Sequence, residues 1–269
     1  MRALAVALTC ALACAASAAL GDVLDPSVPR RVVVGEPRGP APNDRVDGAH
    51  TGAARDELPD DAPQIWSHQV RGGLELPPAV DVAGGVVLAL TIPEVVKLGR
   101  SGEQEWRARL GPQAAVAPPV VTSSGAIVVV TANAQAVVLS PAGAIRATTQ
   151  LGAKPREADA APVALRDGGV VVAAGRVLTA LDASGAVRAR APLDERAVGA
   201  LIVAPPSTSA AAAPEIGDVV LVTGDAGGVY AWRPPSPPRK LGSFGGALRH
   251  GSGAALADAR TLLAVVDGR

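Results

Sequence analysis

Residues 162–187 read PVALRDGGVVVAAGRVLTALDASGAV, and this stretch decides the fold. It contains three short apolar runs, two of them rich in valine, separated by turns that contain glycine. Such runs, bounded by Asp-Gly or Ser-Gly signals, are typical of antiparallel strands joined by tight turns. A helix would instead need apolar residues every three or four positions over ten or more residues. The stretch is therefore predicted to form part of a small antiparallel sheet.

The same pattern recurs along the chain. One residue marks the start of each second strand, and the markers are spaced by 40, 43, 49 and 43 residues: Gly85, Gly125, Gly168, Gly217 and Arg260. The long step contains residues 205–214, a stretch rich in Pro, Ser and Ala that is predicted to be a surface loop. A repeat of roughly 40–45 residues with four short strands has the size of a propeller blade.

The sequence therefore predicts an all-β fold, a β-propeller of four-stranded blades with about four and a half blades in residues 64–269. An immunoglobulin-like sandwich is the nearest alternative, but it does not predict a fixed period over four units. The last unit lacks its outer half. The chain is either a five-blade ring closed by an N-terminal outer strand from residues 64–70, with residues 31–34 supplying another, or, as we favour, an incomplete part of a larger ring with an exposed sheet edge.

The first 18 residues have the three regions of a secretory signal peptide. Arg2 supplies the positive start, residues 3–15 are almost all apolar, and residues 16–18 form a small-x-small cleavage site. The apolar run is short for a bilayer span, and no second run of sufficient length follows. We therefore expect an exported bacterial protein, periplasmic or extracellular, without a transmembrane span.

Cys10 and Cys14, the only cysteines, lie in this segment. Cleavage after Ala18 would leave no thiol for a disulfide, a metal site or a nucleophile. A lipid anchor at Cys14 is the disfavoured alternative, because Ala11 stands where bacterial lipoprotein signals usually carry leucine. Residues 19–63 are predicted to hold one short strand and a linker rich in Pro, Gly and Asp.

The composition and the motifs exclude several functions. Lys+Arg and Asp+Glu both number 25, so the chain lacks the basic excess of a nucleic-acid-binding protein. Serine-hydrolase elbows, phosphate-binding loops and H-E-x-x-H zinc motifs are absent from the sequence. His50, His68 and His250 have no second histidine at ligand spacing, so no metal site is predicted.

Residues 177–187, VLTALDASGAV, resemble the YALD-x-x-x-G-x-x-x-W repeat of PQQ-like β-propellers, a group that includes quinoprotein dehydrogenases and an outer-membrane assembly lipoprotein. Residues 102–106 supply the G-x-x-x-W half in the first unit, and residues 228–232 are similar to the third strand of another. Residues 47–52, followed by Trp66, are similar to the lead-in of the first blade. The structural repeat positions are Gly85, Trp106, Gly125, Gly168, Asp182, Gly185, Gly217 and Trp232.

The sequence also departs from the family's repeat. The tryptophan that follows the turn glycine by four residues is Ala147 in the second unit and Ala189 in the third. We therefore expect tryptophan docking between blades to be degenerate in this chain.

The resemblance implies, for one branch of the family, a quinone-dependent dehydrogenase with eight blades, bound calcium, a catalytic Asp and often a vicinal disulfide. The predicted mature chain has no cysteine, and aromatic residues make up only 2% of the sequence, too few to sandwich a flat cofactor. We therefore expect neither PQQ nor calcium, and no catalytic residue is predicted. The favoured function is an exported, non-catalytic propeller that binds proteins or polymers of the cell envelope. A fragment of a PQQ-dependent dehydrogenase is the alternative.

Overall fold

The computed structural model describes residues 6–8, 67–152, 160–204, 218–244, 246–248, 254–256 and 262–264. Within these ranges every regular element is a β-strand. In chain order the strands are β1 (Val6–Leu8), β2 (Ala79–Val80), β3 (Val86–Ala89), β4 (Glu94–Leu98), β5 (Gln104–Arg109), β6 (Val120–Val121), β7 (Ile127–Thr131), β8 (Gln135–Leu139), β9 (Ile145–Gln150), β10 (Ala160–Ala161), β11 (Val163–Ala164), β12 (Val170–Ala174), β13 (Val177–Leu181), β14 (Val187–Pro192), β15 (Ala197–Val203), β16 (Val220–Gly224), β17 (Gly228–Trp232), β18 (Arg239–Ser243), β19 (Ala254–Leu256) and β20 (Leu262–Ala264).

The strands assemble into consecutive antiparallel sheets, which we call blades. Blade 1 is β2–β5, blade 2 is β6–β9 and blade 3 is β11–β14, each with its strands in sequence order. Blade 4 contains β15–β18 in the same order, and β10 adds a fifth strand parallel to β15. The predicted all-β fold of four-stranded blades is thus confirmed.

Second strands begin at intervals of 41, 43, 50 and 42 residues, close to the predicted period: Val86, Ile127, Val170, Val220 and Leu262. In blade 1 the turn glycine equivalent to Gly125 and Gly168 is Gly84 rather than the predicted Gly85. These three glycines have φ angles of 82°, 77° and 84°, which a residue without a Cβ adopts readily. Gly217 and the predicted loop at 205–214 lie outside the described residues.

In each of the first three blades, the turn between strands one and two and the turn between strands three and four have the same hydrogen bonds. Both turns lie at the same end of the sheet, because antiparallel strands reverse direction at every turn. The first residue of the turn donates its N–H to the carbonyl of the fifth, and the fourth, a glycine, donates to the carbonyl of the first. We call this end the turn face; its turns span 81–85, 99–103, 122–126, 140–144, 165–169 and 182–186.

The core lies between blades. Within β7, Ile127 and Val129 pack on blade 1, whereas Val128 and Val130 pack on blade 3. The sheets are therefore apolar on both faces, and burying each such side chain stabilises the fold by about 1.5–3 kcal/mol. The short first strands of neighbouring blades contact one another in chain order. This stacking of sheets around their inner strands is the geometry of a propeller.

A fifth, smaller sheet follows blade 4. It contains β19, β20 and β1, with β1 antiparallel to β20, and Leu262 packs against the outer face of blade 4. Among the described residues, the N-terminal strand of this sheet is Val6–Leu8, within the predicted signal peptide. Residues 67–70 form no strand, and residues 31–34 and 64–66, including Trp66, lie outside the described ones. Across the described residues, no strand of blade 1 pairs with the fifth sheet.

Candidate functional site

The predicted repeat positions meet at the junctions between blades. Trp106 of β5 lies against the turn at 140–144, which joins the third and fourth strands of blade 2 (its 3–4 turn). Its indole N–H donates to the carbonyl of Pro141 at 2.8 Å. A Cβ added to Gly143 would lie 2.6 Å from Cδ2 of Trp106, so the ring rests directly on the glycine. This contact is a tryptophan dock between blades 1 and 2.

The junction between blades 2 and 3 has the glycine half of this dock without the ring. Ala147 occupies the tryptophan position, and a Cβ added to Gly185 would lie 3.0 Å from its Cβ and 2.8 Å from Cγ2 of Val138. The Thr149 hydroxyl donates to the Gly185 carbonyl at 2.6 Å. The blades close directly onto each other here, which confirms that tryptophan docking is degenerate.

Trp232 has a different role from Trp106. It ends β17, at the position of Leu139 in β8 and Leu181 in β13, and is fully buried in the core between blades 3 and 4. Its indole N–H donates to the carbonyl of Ser236 at 2.7 Å within the proline-rich turn. Ala189, which occupies the tryptophan position of the repeat in the third unit, packs against this core.

Asp182 shapes the 3–4 turn of blade 3. Its Oδ1 accepts the N–H groups of Ser184 and Ala186 at 2.8 and 3.0 Å and the Ser184 hydroxyl at 2.6 Å. The Ser184 hydroxyl is the main reason that the pKa of Asp182 lies below its ordinary value. In blade 2 Ser140 takes the same place, because its hydroxyl accepts the Ala144 N–H at 3.1 Å. These hydrogen bonds within the turn explain why an aspartate stands at position 182.

A charged triad in blade 1 joins the turn after β2 to strands β4 and β5. The Lys97 ammonium lies 2.7 Å from Asp81 and 2.9 Å from Glu105, and the side chains of Lys97 and Asp81 are each only 11% exposed. Burial would raise the pKa of Asp81, but hydrogen bonds from Lys97 and from the main chain of Gly85 and Ala83 outweigh it and lower the pKa. Burial likewise opposes the raised pKa of Lys97, which its two carboxylate partners produce. Both groups are therefore held in their charged forms.

A second cluster centres on Glu195, in the connection from blade 3 to blade 4. Its Oε1 accepts the Lys240 ammonium at 2.6 Å and the Tyr230 hydroxyl at 3.0 Å, and its Oε2 accepts the Gly228 N–H at 2.8 Å. Burial would raise the pKa of Glu195, but the bond from Lys240 and then those from Gly228 and Tyr230 lower it. Burial, and then the bond to Glu195, raise the pKa of Tyr230. The cluster fastens an inter-blade connection to two strands of blade 4.

Two further ion pairs lie on the turn face. Arg188 pairs with Asp167 within blade 3. Arg166 bridges blades 3 and 4. Its guanidinium lies 3.4 Å from the Asp218 carboxylate and donates to the carbonyl of Ala204 at 3.0 Å, and its main-chain N–H donates to Asp218 at 2.7 Å. These contacts hold turns and blades in place.

The turn face also exposes apolar side chains. Three large apolar side chains are exposed here, each within a turn or directly after one: Val82 (61%), Ile145 (48%) and Val187 (39%). A shallow depression of about 340 Å³ beside Val82 is lined by Val80, Val82, Ala83, Gly84 and Arg100. Exposed apolar groups on three successive blades are the feature of this end that suits contact with another macromolecule.

The same described ranges lack two other kinds of site. They contain no group of three or more His, Cys, Asp or Glu side chains arranged to hold a metal ion. They also contain no helix long and apolar enough to cross a bilayer. The buried-charge clusters at Lys97 and Glu195 were not predicted. The sequence did contain one signal for them. The chain uses arginine for almost all of its cations, and two of its only three lysines, Lys97 and Lys240, lie in these clusters.

Neither a protein-family model nor a curated protein sequence matches the chain. Among solved structures, BamB from Moraxella catarrhalis superposes with a TM-score of 0.54 at 16% identity, over 71% of this chain and 55% of that one. Quinohemoprotein alcohol dehydrogenase from Comamonas testosteroni superposes with a TM-score of 0.56 at 15% identity, over 81% of this chain and 42% of that one.

These similarities confirm the fold class, a β-propeller. The chain spans about half the length of the two proteins that it matches. At such low identity the shared property is the fold, because one fold hosts many unrelated functions.

Proposed function

We propose that this protein is an exported, non-catalytic β-propeller that binds a protein or polymer of the cell envelope. The turn face carries the proposal, because Val82, Ile145 and Val187 expose apolar surface on three successive blades. Exposed apolar side chains repeated on successive blades offer a partner apolar area to bury. The predicted signal peptide supports an envelope location.

The ionisable groups support a role without catalysis. A general acid working near neutral pH needs a carboxyl group with a raised pKa. The pKa values of Asp81, Asp167, Asp182 and Glu195 are all lowered instead, and each carboxylate binds main-chain N–H groups or a cation. These carboxylates have the contacts expected of groups that stabilise turns and blade junctions.

The alternative, a fragment of a PQQ-dependent dehydrogenase, is favoured by one observation: the superposition on quinohemoprotein alcohol dehydrogenase covers 81% of this chain. The described aromatic residues do not fit a flat cofactor. Trp106 is docked on Gly143, and Trp232, Tyr230 and Phe244 are 0%, 2% and 7% exposed. Adding PQQ and Ca²⁺ tests this alternative; a stoichiometric bound chromophore would support it.

The binding function is tested with the turn face itself. Tagged wild-type protein and a Val82→Asp/Ile145→Asp/Val187→Asp variant are incubated with solubilised envelope, and the recovered components are compared. Leu74→Asp is the matched control, since Leu74 is 49% exposed but lies outside the turns. We expect a partner that the triple variant loses and the control retains. Equal recovery by all three proteins, or recovery of nothing by the wild type, contradicts the proposal.

A further inference from the structure

The outer edge of blade 3 differs from those of its neighbours. Strand β14 is the last strand of its sheet, so one of its edges is unpaired among the described strands. Arg188 and Arg190 stand two residues apart on this strand, which places both side chains on one face, and both residues are exposed. Neither β14 nor β9 of blade 2 contains an acidic residue.

The two arginines remain accessible to a partner, although each already has a contact within the chain. Arg188 pairs with Asp167, but the two side chains are 47% and 50% exposed, and exposed pairs exchange partners at little cost. Arg190 donates to the main-chain carbonyl of Gln150 at 2.5 Å. Among the described residues, no carboxylate pairs with Arg190. A net positive charge therefore remains along this edge.

The corresponding cations of blades 1 and 4 are better neutralised. Arg107 of β5 lies 3.3 Å from Glu94, and Lys240 of β18 lies 2.6 Å from Glu195, whose side chain is only 12% exposed. Blade 3 therefore presents an open strand edge with uncompensated positive charge.

We propose that the edge of β14 binds an extended acidic segment of a partner protein, with carboxylates at alternate positions opposite Arg188 and Arg190. This assignment rests on the proposed binding function and specifies the chemical character of the partner. Alternate residues of an extended strand repeat at about 6.6–6.8 Å, which is also the spacing of the two arginines along β14. The free main-chain groups of the edge supply hydrogen bonds, and the opposed charges fix the register and the choice of partner.

The test measures binding of a fluorescein-labelled peptide of alternating threonine and glutamate to the purified full chain by fluorescence anisotropy at physiological salt. Comparison peptides carry glutamine in place of glutamate, or N-methyl groups on alternate main-chain nitrogens. The protein variants are Arg188→Glu/Arg190→Glu and the charge-conserving Arg188→Lys/Arg190→Lys. Arg109→Glu/Arg146→Glu is the control, because it makes the same change in net charge on exposed positions of β5 and β9. Circular dichroism verifies that each variant is folded.

We expect the Arg188→Glu/Arg190→Glu variant to weaken peptide binding about tenfold or more, because two favourable cross-strand pairs become repulsive. The lysine variant and the Arg109→Glu/Arg146→Glu control should stay within about threefold of wild type. The glutamine and N-methylated peptides should bind poorly. Equal loss in the control, or equal binding of the glutamine peptide, overturns the assignment.

Two further outcomes separate this assignment from its alternatives. Binding to phosphatidylglycerol vesicles that depends on the two arginines, without peptide binding, overturns it in favour of a membrane surface. An envelope partner that binds the Arg188→Glu/Arg190→Glu variant as well as wild type also overturns it, but leaves the proposed binding function standing.

Discussion

The indole ring of Trp106 in blade 1 rests on Gly143 in blade 2, and this pair defines how one blade closes on the next. The ring lies so near that a Cβ on Gly143 would meet it at 2.6 Å. The indole N–H also reaches the carbonyl of Pro141 in the same turn. Gly143 also has a φ of 82°. Glycine is therefore required at this position for two reasons: the backbone is left-handed, and the ring leaves no space for a Cβ.

Gly143→Ala is expected to lower the free energy of unfolding by about 2–4 kcal/mol, because it adds backbone strain to a clash with the ring. Gly111→Ala is the matched control: Gly111 has a φ of 102°, and a Cβ there meets nothing within 4 Å. The control should lose only about 1–2 kcal/mol from strain. Urea denaturation measures both values, and equal losses would show that the contact with Trp106 contributes nothing.

Ala147→Trp, which restores the family repeat, is expected to destabilise the protein by about 1–3 kcal/mol. Gly185 and Val138 already pack against Ala147, so the ring has no space unless blades 2 and 3 separate. Thr148→Trp, at the exposed neighbouring position in β9, should stay within about 0.5 kcal/mol of wild type. A rise in the thermal midpoint of Ala147→Trp would contradict the closed junction.

Glu195→Gln is expected to lower stability at pH 7 by about 1–3 kcal/mol, because Lys240 loses a charge-assisted partner. Since the folded pKa of Glu195 lies below its ordinary value of 4.5, its contribution is fully present above that value and disappears as the pH falls through the folded pKa. The variant should therefore lose less stability than wild type between neutral pH and about pH 3. Urea unfolding across that range measures the difference.

Glu75→Gln serves as the control for this pH series, because Glu75 is exposed and lies outside the cluster. It should follow the wild-type acid profile. An unchanged acid profile in Glu195→Gln would exclude Glu195 as a source of acid sensitivity.

Expression in a bacterial host is expected to give a mature chain that begins at Ala19, because residues 16–18 match a signal-peptidase site. Intact-mass measurement of the envelope fraction identifies the N-terminus. A mass that includes a lipid and depends on Cys14 would instead establish the anchor that we disfavour. In a chain cleaved after residue 18, β20 would lose the strand Val6–Leu8 as its partner.

The periodicity of the sequence predicted the blades well. Valine-rich runs and turn glycines recur in each blade, and Gly125, Gly168 and Gly185 all have a positive φ. The register in blade 1 was one residue off, because Gly84 and Gly85 stand side by side. Gly84 takes the left-handed conformation, whereas Gly85 is confined by Lys97, Asp81 and the Leu98 carbonyl.

The charged clusters were not predictable in this way. Asp81 and Lys97, and likewise Glu195 and Lys240, are 16 and 45 residues apart, and no local pattern signals such pairs. They form only after the strands that carry them are placed side by side. The contrasting roles of Trp106 and Trp232 have the same origin, since one faces a turn of the next blade and the other fills a core.

The sequence by itself determined the strands, their turns and the repeat, because short apolar runs and the freedom of glycine act over a few neighbouring positions. Only the tertiary structure decided how each pair of blades meets. The ring of Trp106 fills one junction, direct contact of Ala147 with Gly185 closes the next, and Trp232 packs the third. Close packing is the physical reason: each junction depends on the shapes of side chains from two blades, and those are fixed only when the blades come together.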